Sequence, residues 1–152
     1  MIYDLVHVNV NVTDIRRSIA FYQTVGFRVI HVFGDGKAGL DPSGDVMEGM
    51  SDGRTRGVVM SLGDHPRCFT KLELLEHVTP PTQPAPPRPM HAVGLARLAI
   101  RCKDLPAEVA RLEAAGIVME AIQQTDIVGA SRFVLFRDPD GTLLELIEFP
   151  SG

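Results

Sequence analysis

The chain contains one sequence pattern twice, and the second copy follows the first after 90 positions. Residues 7–14 read HVNVNVTD and precede a helical pattern that ends at Gly26. Residues 97–104 read RLAIRCKD and precede a second helical pattern that ends at Gly116. A repeat of this length indicates two copies of one supersecondary unit, so the chain is predicted to fold as two similar modules.

Each copy also ends in a matching strand pattern. Residues 71–76 read KLELLE and residues 143–148 read LLELIE, so Glu73 corresponds to Glu145, 72 positions later. Because this offset is shorter than 90, the first copy holds about 18 additional residues in its middle. They fall mainly in 34–56, which is rich in Gly and Asp and is predicted to be a lid or partly helical. The final glutamate of each segment lies on the opposite strand face and is expected to be solvated.

Local patterns predict the order β-α-β-β-β in both copies. Residues 5–12 alternate strictly between two sets of side chains, which is the period of a strand. Asp14 and Asp104 can each cap a helix with a side-chain oxygen, and Gly26 and Gly116 suit the left-handed conformation that ends one. The remaining strands are predicted at residues 27–33, 57–62 and 70–76 in the first copy, and at 117–122, 131–136 and 142–149 in the second.

The predicted organisation is a first module at residues 1–78, with the insertion at about 34–56, and a second module at 93–152. The residues between them, 79–92, contain six of the eleven prolines and are predicted to form a stiff, extended linker. The predicted fold class is therefore α+β, with two tandem βαβββ modules.

The composition narrows the classes of partner. The chain has 152 residues, of which 45% are hydrophobic, and its net charge of −4 comes without a cluster of Lys and Arg. We therefore expect neither a nucleic-acid partner nor an anionic membrane surface. No apolar run approaches the roughly 20 residues that span a bilayer, and no signal peptide is visible. Cys68 and Cys102 form no CxxC motif, so reduced thiols and a cytoplasmic location are expected.

Three features together resemble one protein family. His7 lies seven residues before Asp14, residues 18–22 read SIAFY, and residues 138–141 read DPDG shortly before Glu145. This combination, which covers nearly the whole chain, resembles the vicinal oxygen chelate superfamily of glyoxalases, extradiol dioxygenases and bleomycin-resistance proteins. The resemblance implies two βαβββ modules that form a cupped mixed sheet around a central pocket. It also implies a divalent metal in that pocket and a homodimer.

The resemblance places the metal ligands of this family at four positions, and one position departs from the pattern. His7, Glu73 and Glu145 match ligand positions, whereas Arg97 stands where the family has its second histidine. A guanidinium is always charged and has only donors, so it cannot ligate a cation. The other three residues could still hold a metal with open positions. Alternatively, Arg97 replaces the metal and pairs with Glu73 or Glu145, so a divalent metal is possible but disfavoured.

Strand alternation predicts which side chains share the face that lines the pocket. Their formal charge is about +1 by simple counting, which favours an anionic ligand such as a carboxylate. Arg97, Asn9, Asn11 and Arg101 are the candidates for substrate binding on this face. The opposite strand faces are apolar and are predicted to pack under the helices. The predicted pocket-lining residues are His7, Asn9, Asn11, Lys71, Glu73, Leu75, Arg97, Ala99, Arg101, Glu145, Ile147 and Phe149.

Four of these residues have a structural as well as a functional interpretation. His7 is either a metal-binding or catalytic residue, or a histidine held by Glu73 or Glu145. Arg97 and Glu145 form either a structural ion pair or, through Arg97, an anchor for a substrate carboxylate. Glu73 and Glu145 are candidate catalytic bases, because isomerases of the family remove a proton beside a carbonyl group.

Two classes of function follow from these residues and the resemblance. The first is a glyoxalase-like enzyme of the isomerase, epimerase, lyase or dioxygenase type, with an atypical or lost metal site. It would act on a small substrate that contains a carboxylate or a carbonyl group. The second is a metal-free protein of the bleomycin-resistance type that binds or sequesters a small molecule. The polar pocket face favours the first, and the departure at Arg97 favours the second or an atypical enzyme.

Overall fold

The computed structural model forms two compact units, Met1–Ala85 and Pro86–Gly152. Among the residues that the structure describes, each unit contains one helix and a four-stranded mixed sheet. We refer to them as the first and second module. Most of the predicted insertion, residues 34–53, lies outside the described residues, whereas residues 54–56 belong to a strand. The structure describes residues 1–2, 4–33, 54–63, 70–86, 88–126 and 129–150.

In the first module the chain order is strand β1 (His7–Asn11), helix α1 (Ile15–Val25), and strands β2 (Phe27–Val32), β3 (Arg54–Leu62) and β4 (Lys71–Thr79). The strands lie in the order β1-β4-β3-β2. Strand β1 runs parallel to β4, and the other neighbours are antiparallel. The parallel pair therefore lies at one side of the sheet, with α1 as its crossover.

The second module repeats this arrangement with strand β5 (Leu98–Cys102), helix α2 (Leu105–Ala114), and strands β6 (Gln123–Thr125), β7 (Ser131–Arg137) and β8 (Leu143–Glu148). Its strand order is β5-β8-β7-β6, and β5 runs parallel to β8. The predicted α+β fold with two tandem βαβββ modules is confirmed.

The strand register of the two modules is equivalent. In the first module Asn9 pairs with Glu73 across β1 and β4, and in the second Ala99 pairs with Glu145 across β5 and β8. The sequence offsets of 90 and 72 connect these two pairs residue by residue. Because a slip of one residue would turn every side chain to the other face, the repeat places corresponding side chains on corresponding faces.

Both helices begin at the predicted caps. The Asp14 carboxylate accepts a hydrogen bond from the backbone N–H of Arg17 at 3.0 Å, and Asp104 accepts one from Ala107 at 3.1 Å. Helix α1 ends at Val25, and the predicted stop residue Gly26 follows it with a φ of 122°. Helix α2 ends at Ala114, two residues before Gly116.

Glu76 and Glu148, the final glutamates of β4 and β8, are not simply solvated, so that prediction was wrong. The carboxylate of Glu76 accepts a hydrogen bond from the backbone N–H of Ile15 at 3.1 Å. Glu148 accepts the equivalent bond from Leu105 at 3.3 Å. Each carboxylate therefore binds the first residue of its module's helix, where free N–H groups and the helix dipole favour an anion.

An arginine on the neighbouring strand completes each of these contacts. Arg56 Nη1 lies 3.0 Å from a carboxylate oxygen of Glu76, and Arg132 forms the corresponding ion pair with Glu148. The second oxygen of Glu76 remains on the helix, so one carboxylate joins strand, strand and helix. Local alternation could not reveal this contact, because the helix terminus lies 61 positions away.

The core of each module lies between the helix and the sheet face that the helix covers. Helix α1 packs against β4 and α2 packs against β8. Most apolar residues predicted on these faces are buried, namely Val10, Leu72, Leu74, Ile100, Leu144 and Leu146, and Tyr22 of α1 is fully buried with them. Val6 was wrongly predicted to be buried, since it is 63% exposed. The fully buried core includes Val58, Met60 and Leu74 in the first module, and Leu112, Val134 and Leu144 in the second.

Two local predictions were wrong. Residues 117–122 do not form a regular strand, because only Met119 makes an isolated bridge, to Phe136, and β6 begins later. The segment runs along the outside of the sheet, where Val118 is 87% exposed and its apolar side chain gains no burial. The start of the proline-rich segment is not extended, because the backbone N–H of Thr82 turns back to donate to the carbonyl of His77 at 2.9 Å.

No helix within the described ranges is long and apolar enough to cross a membrane.

Candidate functional site

The polar residues predicted to line the site lie on the sheet faces that the helices do not cover. In the first module, alternation on β4 turns Leu72 and Leu74 toward the helix and Lys71 and Glu73 to the other side. The register places Lys71 directly beside His7 of β1. One sheet face therefore holds an imidazole, an ammonium and a carboxylate on two adjacent strands.

His7 and Glu73 contact each other on this face. His7 Nε2 lies 3.2 Å from Glu73 Oε2, and the Glu73 side chain is only 5% exposed, compared with 47% for His7. Of the two glutamates that sequence alone allowed as partners of His7, the structure pairs it with Glu73. A buried carboxylate held by an imidazole has a fixed orientation, which suits it to take up a proton from a bound molecule.

Lys71 makes a second polar contact on the same face. Its Nζ donates to the hydroxyl oxygen of Ser61 on β3 at 3.1 Å, and Ser61 is 3% exposed. Lys71 was among the predicted face residues, but Ser61 was missed. Val59 of β3 is the register partner of Glu73, and Ser61 lies two residues beyond Val59. Alternation along β3 therefore places Ser61 on the same face as Glu73.

The equivalent contact in the second module is an ion pair. The guanidinium of Arg97 contacts a carboxylate oxygen of Glu145, whose side chain is 5% exposed, compared with 38% for Arg97. Sequence alone allowed Arg97 to pair with Glu73 or Glu145, and the structure pairs it with Glu145. Arg97 therefore places a permanent positive charge on this carboxylate, at the position that corresponds to His7.

The remaining candidates for ligand binding differ in their surroundings. Asn9 and Asn11 are exposed on β1. Arg101 is exposed on β5, and its guanidinium lies over the ring of Phe149, 5.1 Å from the ring centre. This cation–π contact leaves the edges of the guanidinium able to donate to an anionic group.

The donor set does not match the metal site that the family resemblance implies. Such a site would take a histidine and a glutamate from each module. The first module supplies His7 and Glu73, but the second supplies Arg97, which cannot ligate a cation and is already bound to Glu145.

Cys102 lies on the helix-facing side of β5. Its Sγ lies 3.7 Å from the carbonyl oxygen of Ile147. Burial and, to a smaller extent, the nearby carboxylates of Glu148 and Glu108 together raise the pKa of this thiol from 9.0 to about 11. The thiol is therefore protonated at neutral pH and unsuited to nucleophilic chemistry. Cys68 lies outside the described residues.

Comparisons with known proteins give a consistent result. The sequence model described as the Glyoxalase/Bleomycin resistance protein/Dioxygenase superfamily matches residues 4–146. An uncharacterized protein of Escherichia coli K12, YaeR, is 40% identical over 77 residues, which are 51% of this chain and 57% of YaeR. The chain thus matches little more than half the length of that relative.

Solved structures match over nearly the whole chain. The crystal structure of SMU.1112c has a TM-score of 0.69 and 28% identity, and the match covers 97% of this chain and 100% of the other. TnmS3, described as an antibiotic-binding protein from Streptomyces sp. CB03234, has a TM-score of 0.65 and 22% identity, and the match covers 99% of this chain and 98% of the other. At that identity, the second likeness shows a shared fold.

Proposed function

The chain belongs to the Glyoxalase/Bleomycin resistance protein/Dioxygenase superfamily, and we propose that it is an enzyme that removes a proton beside a carbonyl group of a small substrate. The reaction type would be an isomerisation or epimerisation. The observation that carries the proposal is the buried carboxylate of Glu73, which His7 holds at 3.2 Å on the face of the first sheet that α1 does not cover. A positioned carboxylate of this kind is the general base that such a reaction needs.

In the proposed step, Glu73 takes the proton from the carbon next to the carbonyl group. The electrons of that C–H bond form a carbon–carbon double bond, and the carbonyl π electrons move onto the oxygen to give an enolate. For epimerisation, the enolate turns over in the site and the Glu73 carboxyl group returns the proton to the opposite face of the same carbon. For isomerisation, the carbon that loses its proton carries a hydroxyl group: the O–H proton moves to the enolate oxygen, and Glu73 returns its proton to the neighbouring carbon. Neither route needs an oxidant or reductant. His7 orients the carboxylate through its contact at Oε2.

We assign the base to Glu73 rather than Glu145 because their partners differ. The permanently charged guanidinium of Arg97 is bound to Glu145, so the carboxylate of Glu145 is already engaged in an ion pair. The partner of Glu73 is the imidazole of His7, which carries no permanent charge. The two modules thus hold equivalent carboxylates in different electrostatic environments.

Proton abstraction can be tested before the natural substrate is known. The protein is incubated in deuterium oxide with small 2-oxo acids, 2-oxo aldehydes and acyl thioesters, and proton NMR follows the loss of the signal next to the carbonyl group. We expect catalysed exchange with at least one compound, and Glu73→Gln should slow it by about 100-fold or more. Glu113→Gln, which changes an exposed glutamate on α2, is the matched control. Exchange that persists in Glu73→Gln would remove Glu73 as the base.

The ion pair of the second module supports a second candidate function, a metal-free binding protein. Arg97 is 38% exposed, so an anionic group of a ligand can compete with Glu145 for its guanidinium. Ala99, the register partner of Glu145, carries a small side chain that leaves room beside the pair. Tight binding of an aromatic or amphipathic carboxylate, weakened by Arg97→Gln and unaccompanied by deuterium exchange, would favour this function over the enzyme.

A further inference from the structure

The sheet face of the first module that α1 does not cover carries a cation next to the candidate base. We propose that Lys71 and Ser61 form an oxyanion-binding site, which holds the enolate oxygen produced when Glu73 removes a proton. This proposal rests on the proposed function, and it names the two groups that would stabilise the negative charge of the enolate. The ligand class is a small molecule with a carbonyl or carboxylate oxygen, and the site supplies an ammonium and a hydroxyl group to that oxygen.

The strand geometry places the two groups at the right separation. Lys71 and Glu73 are two residues apart on β4, so their side chains leave the same face about 7 Å apart. The carbonyl oxygen of a substrate is two bonds from the carbon that loses its proton. A substrate whose acidic C–H meets Glu73 can therefore direct its oxygen toward the flexible side chain of Lys71.

The hydrogen bond between Lys71 and Ser61 prepares the site. The ammonium of Lys71 donates to Ser61 Oγ at 3.1 Å. Because Ser61 accepts this bond, its own O–H hydrogen can be donated to a ligand. Ser61 is 3% exposed, so this donor lies in a water-poor environment where a bond to a negatively charged oxygen is strong.

The internal repeat shows that the fold does not require a lysine at this position. Lys71 corresponds to Leu143, 72 positions later, which occupies the same place on β8 and is 5% exposed. The second module therefore builds the same sheet with a leucine. Its cation, Arg97, instead lies at the position that corresponds to His7 and is bound to Glu145. The ammonium of Lys71 is thus a feature of the first module alone, and it supplies the positive charge that a developing oxyanion needs.

Oxalate, whose two carboxylate groups resemble the enolate form of a 2-oxo acid, is the probe for this site. Calorimetry in metal-free buffer should show that the wild-type protein binds oxalate. Lys71→Leu, which copies the second module, should weaken binding at least about 10-fold, whereas Lys71→Arg should keep it within a few-fold. Ser61→Ala should weaken binding by a smaller factor. Glu73→Gln should bind oxalate as well as or better than wild type, because it removes a neighbouring negative charge.

The outcomes separate this inference from the proposed function. The oxyanion site would be overturned if the wild-type protein did not bind oxalate, or if wild type and Lys71→Leu bound it equally. This holds even if Glu73-dependent deuterium exchange were found. Lys71-dependent oxalate binding without any exchange would support the anion site and refute proton abstraction. Thermal unfolding of Lys71→Leu should match wild type, and if that variant fails to fold, Lys71→Gln and Ser61→Ala test the same loss of affinity.

Discussion

The guanidinium of Arg97 forms an ion pair with the buried carboxylate of Glu145, at the place where the first module pairs His7 with Glu73. The two pairs are related by the same strand register. One carboxylate faces a titratable imidazole and the other a permanent cation. The repeat therefore preserves the geometry of the two carboxylates while their chemistry differs.

We predict that the wild-type protein binds divalent metal weakly or not at all, and that Arg97→His raises its affinity for Zn, Ni, Co or Mn at least about 10-fold. The new imidazole would give the second module a His–Glu pair like that of the first. Arg97→Ala removes the positive charge that repels a metal ion but adds no ligand, so its metal affinity should rise less than that of Arg97→His. Calorimetry measures the metal affinity of the tag-free proteins, and elemental analysis measures how much metal they hold. Stoichiometric metal held by His7, Glu73 and Glu145 in wild type would refute it.

The contacts between strand and helix predict a stability effect. Glu148→Ala should lower the free energy of unfolding by about 1–2 kcal/mol, because Leu105 N–H loses its acceptor and Arg132 loses its partner. Glu113→Ala changes an exposed residue of α2, the helix that Leu105 begins. It should change the free energy of unfolding by no more than about 0.5 kcal/mol. Urea unfolding followed by circular dichroism compares the variants, and equal losses from both would show that the contact contributes nothing.

Gly57 of β3 lies where a side chain has no room. A Cβ added to it would stand 2.8 Å from a ring carbon of Phe33 and 3.0 Å from Leu75 Cδ2. Gly57→Ala should therefore destabilise the protein by about 1–3 kcal/mol through overpacking. Phe33→Leu shortens the clashing side chain, so the double variant should lose less than the sum of the single losses. Strict additivity of the two losses would contradict this clash as the cause.

Cys102 should react slowly with alkylating reagents. In a Cys68→Ser background, iodoacetamide should modify folded Cys102 slowly at pH 8, with the rate rising as pH approaches the pKa of about 11. The same protein unfolded in urea is the control and should react at the rate of an ordinary thiol. Rapid modification of the folded protein at pH 8 would contradict the assigned environment.

The same pKa determines the sign of a stability change. The folded-state pKa of Cys102 lies above its ordinary value of 9.0, so the folded protein holds this proton more tightly than the unfolded chain. The stability that this difference contributes is fully present below about pH 9 and is lost as pH rises toward 11. Cys102→Ala should therefore show a smaller fall in unfolding free energy between these pH values. An identical fall in both proteins would exclude Cys102 as its source.

The sequence by itself determined the architecture of each module, because the signals that specify it are local or periodic. Alternation along β1 and β4, the caps at Asp14 and Asp104, and Gly26 each act within a few residues. The two repeat offsets then sufficed to place Glu73 and Glu145 at equivalent register positions. In residues 117–122 only Ile117 is buried, so this segment carries no comparable signal, and there the prediction of a strand was wrong.

The tertiary structure decided which side chains meet. Composition and alternation put Arg97 on a face with two possible carboxylates, and only the folded chain shows that it contacts Glu145. Likewise, the binding of Glu148 to the start of α2 and of Lys71 to Ser61 depends on strand pairing and helix packing. These contacts join residues that are distant in sequence or lie on separate strands, and their energies arise from burial and charge at the contact itself. A local sequence pattern records the face of a strand, but not the partner that folding brings to it.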